Sequence, residues 1–192
     1  MAERLSPLTR FEPVSSDDLC ILEVPFLIQI NLRVDAKSPA AGDIGLALGT
    51  PLPTEPGTYA SAEADVLWLG PDEWLVVAEP GGEENLQARL RAAAGTEHVA
   101  VTDVSAQRTA LLVAGPRARD LLAHGCALDL HPRLFGPGRC AQTTLARAQV
   151  LLAAHEGEEF MVFVRSSFAG YLADWLLDAA AEYLPPRNGS DG

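Results

Sequence analysis

Ala64-Asp65-Val66-Leu67-Trp68-Leu69-Gly70-Pro71-Asp72-Glu73-Trp74-Leu75-Val76-Val77-Ala78 decides how the rest of the chain is read. Two apolar runs, Ala64 to Leu69 and Glu73 to Ala78, flank Gly70-Pro71-Asp72. Glycine and proline favour a turn, so the stretch predicts a β-hairpin with its strands buried on one or both faces. Working backwards, Pro51, Pro53, Pro56 and Gly57 make a loop. Before it, Ser38-Pro39 offers an N-cap followed by proline at the first helical position, predicting a short helix that ends near Leu48. Earlier still, Ile28, Ile30, Leu32 and Val34 alternate with Gln29, Asn31 and Arg33, the period of a half-buried strand. Pro25 limits how far that strand extends backwards. Downstream, Glu83 to Ala94 reads as a helix, with glutamates in the first turn, arginines later and Gly95 as the stop.

The same order then recurs. Val99 to Ser105 and Thr109 to Ala114 read as strands, and Gly115-Pro116 opens a helix through Leu121 and Leu122 that stops at Gly125. A Pro/Gly loop spans Leu130 to Gly138, and Gln149 to Ala154 and Phe160 to Val164 bracket the turn Glu156-Gly157-Glu158. Ser166 or Ser167 is positioned to cap a final helix whose apolar stripe is Phe168, Tyr171, Leu172, Trp175, Leu176 and Ala179. Pro185-Pro186 ends it. The repeat of roughly 80 residues is too long for a solenoid. The expected fold class is α+β: duplicated strand-helix-hairpin-helix units, mainly antiparallel sheets with helices packed on one side. The expected organisation is an N-terminal arm 1–19, a single domain 20–184 of two pseudo-repeated halves (about 20–97 and 98–184), and a flexible tail 185–192.

Composition narrows the function classes. The chain has 192 residues, 14 basic and 26 acidic side chains and a net charge of −12, which argues against nucleic-acid and anionic-membrane partners. Forty-eight per cent hydrophobic against 21 per cent charged residues is a globular balance. Lys37 is the only lysine, every other basic residue being arginine. Met1 to Arg10 has no apolar h-region, and no apolar run approaches the roughly 20 residues that span a bilayer. The three cysteines, Cys20, Cys126 and Cys140, contain no CxxC pair, which fits a reduced, cytoplasmic setting.

Chemistry is sparse. His98, His124, His131 and His155 show no metal-ligand spacing, so no metal is expected. There is no GxGxxG, P-loop or GxSxG. Gly115-Pro116-Arg117 superficially resembles a phosphate site, but Pro116 removes a donor and Asp120 adds negative charge, so it reads as a plain helix start. The suggestive patch is Thr102-Asp103-Val104-Ser105-Ala106-Gln107-Arg108. Asp103 ends an apolar strand, where a carboxylate can face a cleft and act on a proton; with no second catalytic partner in reach along the chain, the structural alternative is that Asp103 and Ser105 form a local turn joining two strands. Trp68, Trp74 and Trp175 could stack on a flat heterocycle, although core or subunit contact is the commoner use. The candidate site residues are therefore Asp103 for catalysis and Asp103, Ser105, Trp68 and Trp74 for cofactor binding.

The hairpin Val66 to Leu75, with Thr102-Asp103-Val104-Ser105, Gly115-Pro116-Arg117-Ala118 and Leu121-Leu122, resembles the gamma-subunit family of heterotetrameric sarcosine oxidases. Ser6-Pro7-Leu8 and Phe168-Ala169-Gly170-Tyr171-Leu172 extend the resemblance to about residues 5–184. Asp-Val-Ser and Gly-Pro-x-Ala are shared more widely with folate-binding domains of aminomethyltransferases. The resemblance implies a folate-binding-domain-like fold and membership of a cytoplasmic oxidoreductase complex acting on CH–NH. That complex demethylates sarcosine to glycine with oxygen and tetrahydrofolate, giving hydrogen peroxide and 5,10-methylenetetrahydrofolate. It further implies alpha, beta and delta subunits as partners, with FAD, FMN, NAD, tetrahydrofolate and zinc carried on them and none on this chain. In aminomethyltransferases the Asp of Asp-Val-Ser-His is catalytic. Here Ala106 stands at the histidine position. The leading expectation is a non-catalytic assembly subunit; the alternative is a stand-alone folate-binding aminomethyltransferase-like protein with Asp103 as general base.

Overall fold

The computed structural model describes residues 5–184; the expected tail 185–192, Pro185-Pro186 and the first four residues of the expected arm lie outside the described residues. The elements run β1 (Val14–Ser15), β2 (Cys20–Val24), β3 (Ile28–Arg33), α1 (Pro39–Leu48), β4 (Tyr59–Ser61), β5 (Asp65–Gly70), β6 (Glu73–Ala78), α2 (Glu83–Ala94) and β7 (Ala100–Asp103). They continue with β8 (Arg108–Ala114), α3 (Ala118–Ala123), β9 (Arg139–Leu145), β10 (Ala148–His155), β11 (Glu159–Arg165) and α4 (Ala169–Ala180). Local signals are obeyed where they were strong. The Ser38 side chain accepts from the Ala41 N–H at the start of α1, and Gly49 closes it with φ of 75°. The decisive hairpin is β5–β6, with Trp68 opposite Trp74 and a register shift between Trp68 and Gly70 at the turn.

The strands form two antiparallel sheets. One has six strands in the order β1-β2-β8-β11-β10-β9, the other five in the order β4-β5-β6-β3-β7. Side-chain alternation sorts the core into three layers. Between the sheets lie Leu27, Leu67, Leu75 and Val77 from one side and Ala110, Cys140, Leu151, Ala153 and Phe163 from the other. The outer face of the five-stranded sheet is covered by α1 and α2 through Ala40, Ile44, Leu48, Leu86 and Leu90. The outer face of the six-stranded sheet is covered by α3 and α4 through Leu121, Leu122, Leu172, Leu176 and Ala180. Each sheet is therefore apolar on both faces, toward its helix layer and toward the other sheet, which is why its strands read as continuous apolar runs.

Two connections cross between the sheets. The chain leaves β2 in the six-stranded sheet and enters β3 in the five-stranded sheet within residues 25–27; Phe26 takes a positive φ of 62° to make the step. It returns from β7 in the five-stranded sheet to β8 in the six-stranded sheet within residues 104–107. As a result β2 pairs with β8, and β7 pairs with β3. Of the N-terminal arm 1–19, the described part packs on the six-stranded sheet: Leu8 is buried in its outer core and β1 pairs with β2.

Four expectations change. The expected strands Val99–Ser105 and Thr109–Ala114 are observed as β7 (Ala100–Asp103) and β8 (Arg108–Ala114); they lie in different sheets, and Ser105 falls in the turn after β7. Neither Ser166 nor Ser167 caps the last helix. Residues Ser166–Phe168 form a 3₁₀ turn, and the Ser166 hydroxyl donates instead to the Ala106 carbonyl at 3.0 Å. The start of α4 at Ala169 turns its buried stripe to Ala169, Leu172, Ala173, Leu176 and Ala180, leaving Phe168 and Tyr171 46 and 41 per cent exposed. β2 and β9 carried no alternation strong enough to announce them, since each mixes polar residues into a run whose neighbours, not its own pattern, bury it.

Gly115 shows how closely the elements approach. It has φ of +109°, and a Cβ there would lie 2.7 Å from the Asp18 carbonyl oxygen, while Arg117 N–H donates to that same oxygen at 3.0 Å. Gly115→Ala should cost about 2 kcal/mol or more, from the backbone strain and the clash together. Urea unfolding checks this, and an unchanged midpoint would contradict the packing described.

Candidate functional site

The Asp103-Val104-Ser105 segment lies on the return crossing. Asp103 Oδ1 accepts from the Ser105 N–H at 2.9 Å and from the Ser105 hydroxyl at 2.6 Å, the arrangement of a local Asx/ST turn. The Ser105 Oγ in turn accepts from the buried Gln29 N–H at 2.9 Å, on the first residues after the opposite crossing. Val104 N–H donates to the Gln29 carbonyl at 2.8 Å, and Gln29 Nε2 donates to the Arg108 carbonyl at 3.0 Å. The two crossings are thus hydrogen-bonded to each other through Gln29 and Ser105. Gln29 is 1 per cent exposed, and its Oε1 is an orphaned buried acceptor.

Of the four candidate residues, the structure brings Asp103 and Ser105 together and sets Trp68 and Trp74 apart from them. Trp74 is fully buried against the helix layer of the five-stranded sheet, its indole N–H donating to the Pro53 carbonyl at 2.8 Å. Trp68, its cross-strand partner, packs on the same outer core. Trp175 packs against the outer core of the six-stranded sheet. No tryptophan therefore faces the layer between the sheets.

That layer opens at one end into a polar cleft. Its smaller part, about 310 Å³, is lined by residues that include Asn31, Glu73, Thr102, Gln107, Arg108 and Gln142. Its larger part, about 470 Å³, adds Thr143, Thr144, Gln149 and Arg165 and shares Leu69, Arg108 and Gln142. Glu73 accepts from Asn31 Nδ2 at 2.7 Å, and Gln142 Nε2 donates to the Leu69 carbonyl at 3.0 Å. Asp103 is not among the lining residues, although its neighbours Thr102 and Val104 are. A hollow of about 620 Å³ beside α1 is more apolar, with Asp43 its one charged liner. The sequence reading missed the cleft because its residues come from eight strands of two sheets, dispersed along the chain. The only available signal was the polar member of each alternating pair.

The cysteines are free thiols. Burial pushes the Cys140 thiol up to about 11, and it donates to the Thr58 carbonyl at 3.2 Å between the sheets. Among the described residues no group of three or more His, Cys, Asp or Glu side chains is placed to hold a metal ion.

The family described as sarcosine oxidase, gamma subunit matches residues 33–182. A sarcosine oxidase subunit gamma from Arthrobacter sp is 40% identical over 166 residues, covering 85% of this chain and 81% of the relative. Among solved structures, the chain is similar to a chain of the heterotetrameric sarcosine oxidase from Corynebacterium sp. U-96, solved with pyrrole 2-carboxylate, at TM-score 0.86 and 35% identity, covering 94% of this chain and 96% of that one. The glycine cleavage system aminomethyltransferase T from Bartonella henselae shares the fold, at TM-score 0.64 and 17% identity over 82% of this chain and 45% of that one.

Two outcomes follow from the geometry. Ser105→Ala leaves the buried Gln29 N–H without its acceptor and should destabilise the chain by about 1–3 kcal/mol; a denaturation midpoint equal to wild type would show that the crossings are held otherwise. At pH 8 the Cys140 thiol, being protonated as well as buried, should resist a thiol reagent until the chain unfolds, and peptide mapping that finds it modified in the native chain would contradict its placement.

Proposed function

The chain belongs to the sarcosine oxidase gamma subunit family, and on that premise we propose that it is a non-catalytic assembly subunit of a heterotetrameric sarcosine oxidase. The complex oxidatively demethylates sarcosine to glycine, reducing oxygen to hydrogen peroxide and passing the one-carbon unit to tetrahydrofolate. Its alpha, beta and delta subunits are the partners, and FAD, FMN, NAD, tetrahydrofolate and zinc sit on them. The complex works in the cytoplasm; the three free thiols and a fold in which no described helix is long and apolar enough to cross a membrane accord with this.

The observation that carries the non-catalytic reading is the fate of Asp103. In the catalytic signature this carboxylate must be aimed at a substrate; here one of its oxygens is occupied by the Ser105 N–H and hydroxyl, and Ala106 stands where the signature has histidine. A proton acceptor committed to two local donors is a poor general base. Exposed apolar side chains supply what an assembly role needs: Phe168 in the turn before α4, Tyr171 in its first turn, Leu46 on α1 and Leu134 in the loop before β9. We further read the chain as two copies of one unit, about 20–97 and 98–184. β2-β3-α1-β4-β5-β6-α2 is matched in order by β7-β8-α3-β9-β10-β11-α4, and the strand orders β7-β3-β6-β5-β4 and β2-β8-β11-β10-β9 coincide. Each copy lends its leading strand to the other's sheet.

The test is reconstitution of the complex with Asp103→Asn, following assembly and sarcosine-dependent hydrogen peroxide separately. The assembled variant should keep kcat within about twofold of wild type, any loss appearing in the yield of complex. A normal yield with turnover abolished would overturn the reading and favour Asp103 as the general base of a folate-dependent enzyme. A wild-type chain that never retains flavoprotein partners on purification would overturn the assembly role itself.

A further inference from the structure

Arg108 and Arg165 are directly opposite each other in the antiparallel pair β8–β11. Opposed residues of such a pair share one face, and like charges there repel. The face is the inner one: Arg108 stands two residues before Ala110 and Arg165 two after Phe163, both of which pack between the sheets. The two guanidinium groups therefore converge on the open end of the inter-sheet layer, and both line its cleft of about 470 Å³. Among the described residues neither side chain has a hydrogen bond or an ion pair, whereas Arg33, Arg89, Arg117, Arg119 and Arg139 each hold a carboxylate. Other described arginines, such as Arg133 and Arg147, also hold no carboxylate, but what sets Arg108 and Arg165 apart is that they stand directly opposite each other. Burial, and next the charge of Arg165, push the Arg108 guanidinium below its ordinary pKa, so the pair is held at an electrostatic cost.

We propose that the mouth of this cleft is a binding site for a carboxylate, gripped between Arg108 and Arg165. The charge balance selects the ligand. Glu73, on the opposing sheet, lines the adjoining hollow with Arg108 and acts on it electrostatically, so two guanidinium groups face one carboxylate and leave a single net positive charge. A monoanion neutralises that charge, while a phosphate dianion would overshoot it. Guanidinium forks match a planar carboxylate bidentately. Gln142, Gln149, Thr143 and Thr144 supply amide and hydroxyl groups for the remainder of the ligand, and Leu69 and Leu151 supply an apolar wall. The carboxylate can come from a free small molecule or from a side chain or C-terminus of a partner subunit; the site stands on the cleft and does not rest on the non-catalytic reading of Asp103.

The experiment is calorimetric titration of the full chain, alone and in its assembled complex, with N-acetylglycine at low salt, alongside assembly yields. The free chain should bind one equivalent, with affinity lowered about tenfold or more by Arg165→Gln and by Arg108→Gln, and less by Arg108→Lys, which keeps the charge without the fork. Arg165 ends its strand in an exposed position, so its variant carries the test even if Arg108→Gln fails to fold. Binding by the complex as well assigns a free small-molecule ligand. Weakened assembly of Arg165→Gln, with the complex refusing N-acetylglycine, assigns a partner's carboxylate. No uptake by the free chain together with unaltered assembly of Arg165→Gln, or uptake that Arg165→Gln leaves unchanged, overturns the proposal.

Discussion

Everything in this molecule depends on the clasp between its two inter-sheet crossings. Gln29 begins the five-stranded sheet just after the chain has left β2, and Ser105 lies just after β7 on the way back; their hydrogen bonds tie the two departures together. The five-stranded sheet is built from one contiguous stretch, β3 to β7, whereas the six-stranded sheet cannot form fully until β2 has been brought to β8 across that whole insertion. Loop-closure entropy must be met before that pairing rewards it. The buried polar groups at the clasp then make partial unpairing costly, since each freed N–H would be left without water.

The clasp also gives the Asp-Val-Ser signature a structural use. Asp-Val-Ser is a good sequence for a tight turn, as the short polar side chains bond back to their own backbone. Where the chain must leave one sheet and enter another in four residues, that turn is needed for the fold alone. What the neighbouring cleft retains is charge and hydrogen-bonding capacity, carried by Arg108, Arg165, Glu73 and Gln142, on residues the turn does not touch.

Much of the fold was legible in the sequence, and the reason is local. The hairpin at Gly70-Pro71-Asp72, the Ser38-Pro39 helix start and the Glu83–Ala94 helix with its Gly95 stop were each signalled by residues within a few positions of the feature. The partition of adjacent strands between two sheets was not, because Val99–Ser105 and Thr109–Ala114 look like an ordinary hairpin until their partners, β3 and β11, are known. The exposure of Phe168 and Tyr171 is hidden from the sequence for a similar reason: a 3₁₀ turn at Ser166–Phe168 precedes the helix and sets which of its faces is buried. Arg119 gave no sequence signal either. It pairs with Glu158, donates to the Phe135 carbonyl at 2.9 Å and lies over the Phe160 ring at 4.8 Å, holding the long loop before β9 in place. Of the candidate site, the contact between Asp103 and Ser105 was legible as a turn, whereas the cleft, assembled from strands dispersed over the whole chain, was not.

If exchange of leading strands fuses the halves, they have no independent stability, and native-state hydrogen exchange followed by mass spectrometry across a urea series measures this directly. Peptides covering β2, β7 and the central strands of both sheets should converge on one opening free energy with a common urea dependence, the signature of a single cooperative unit. Protection lost from the five-stranded sheet at a urea concentration where the six-stranded sheet remains closed would contradict the account.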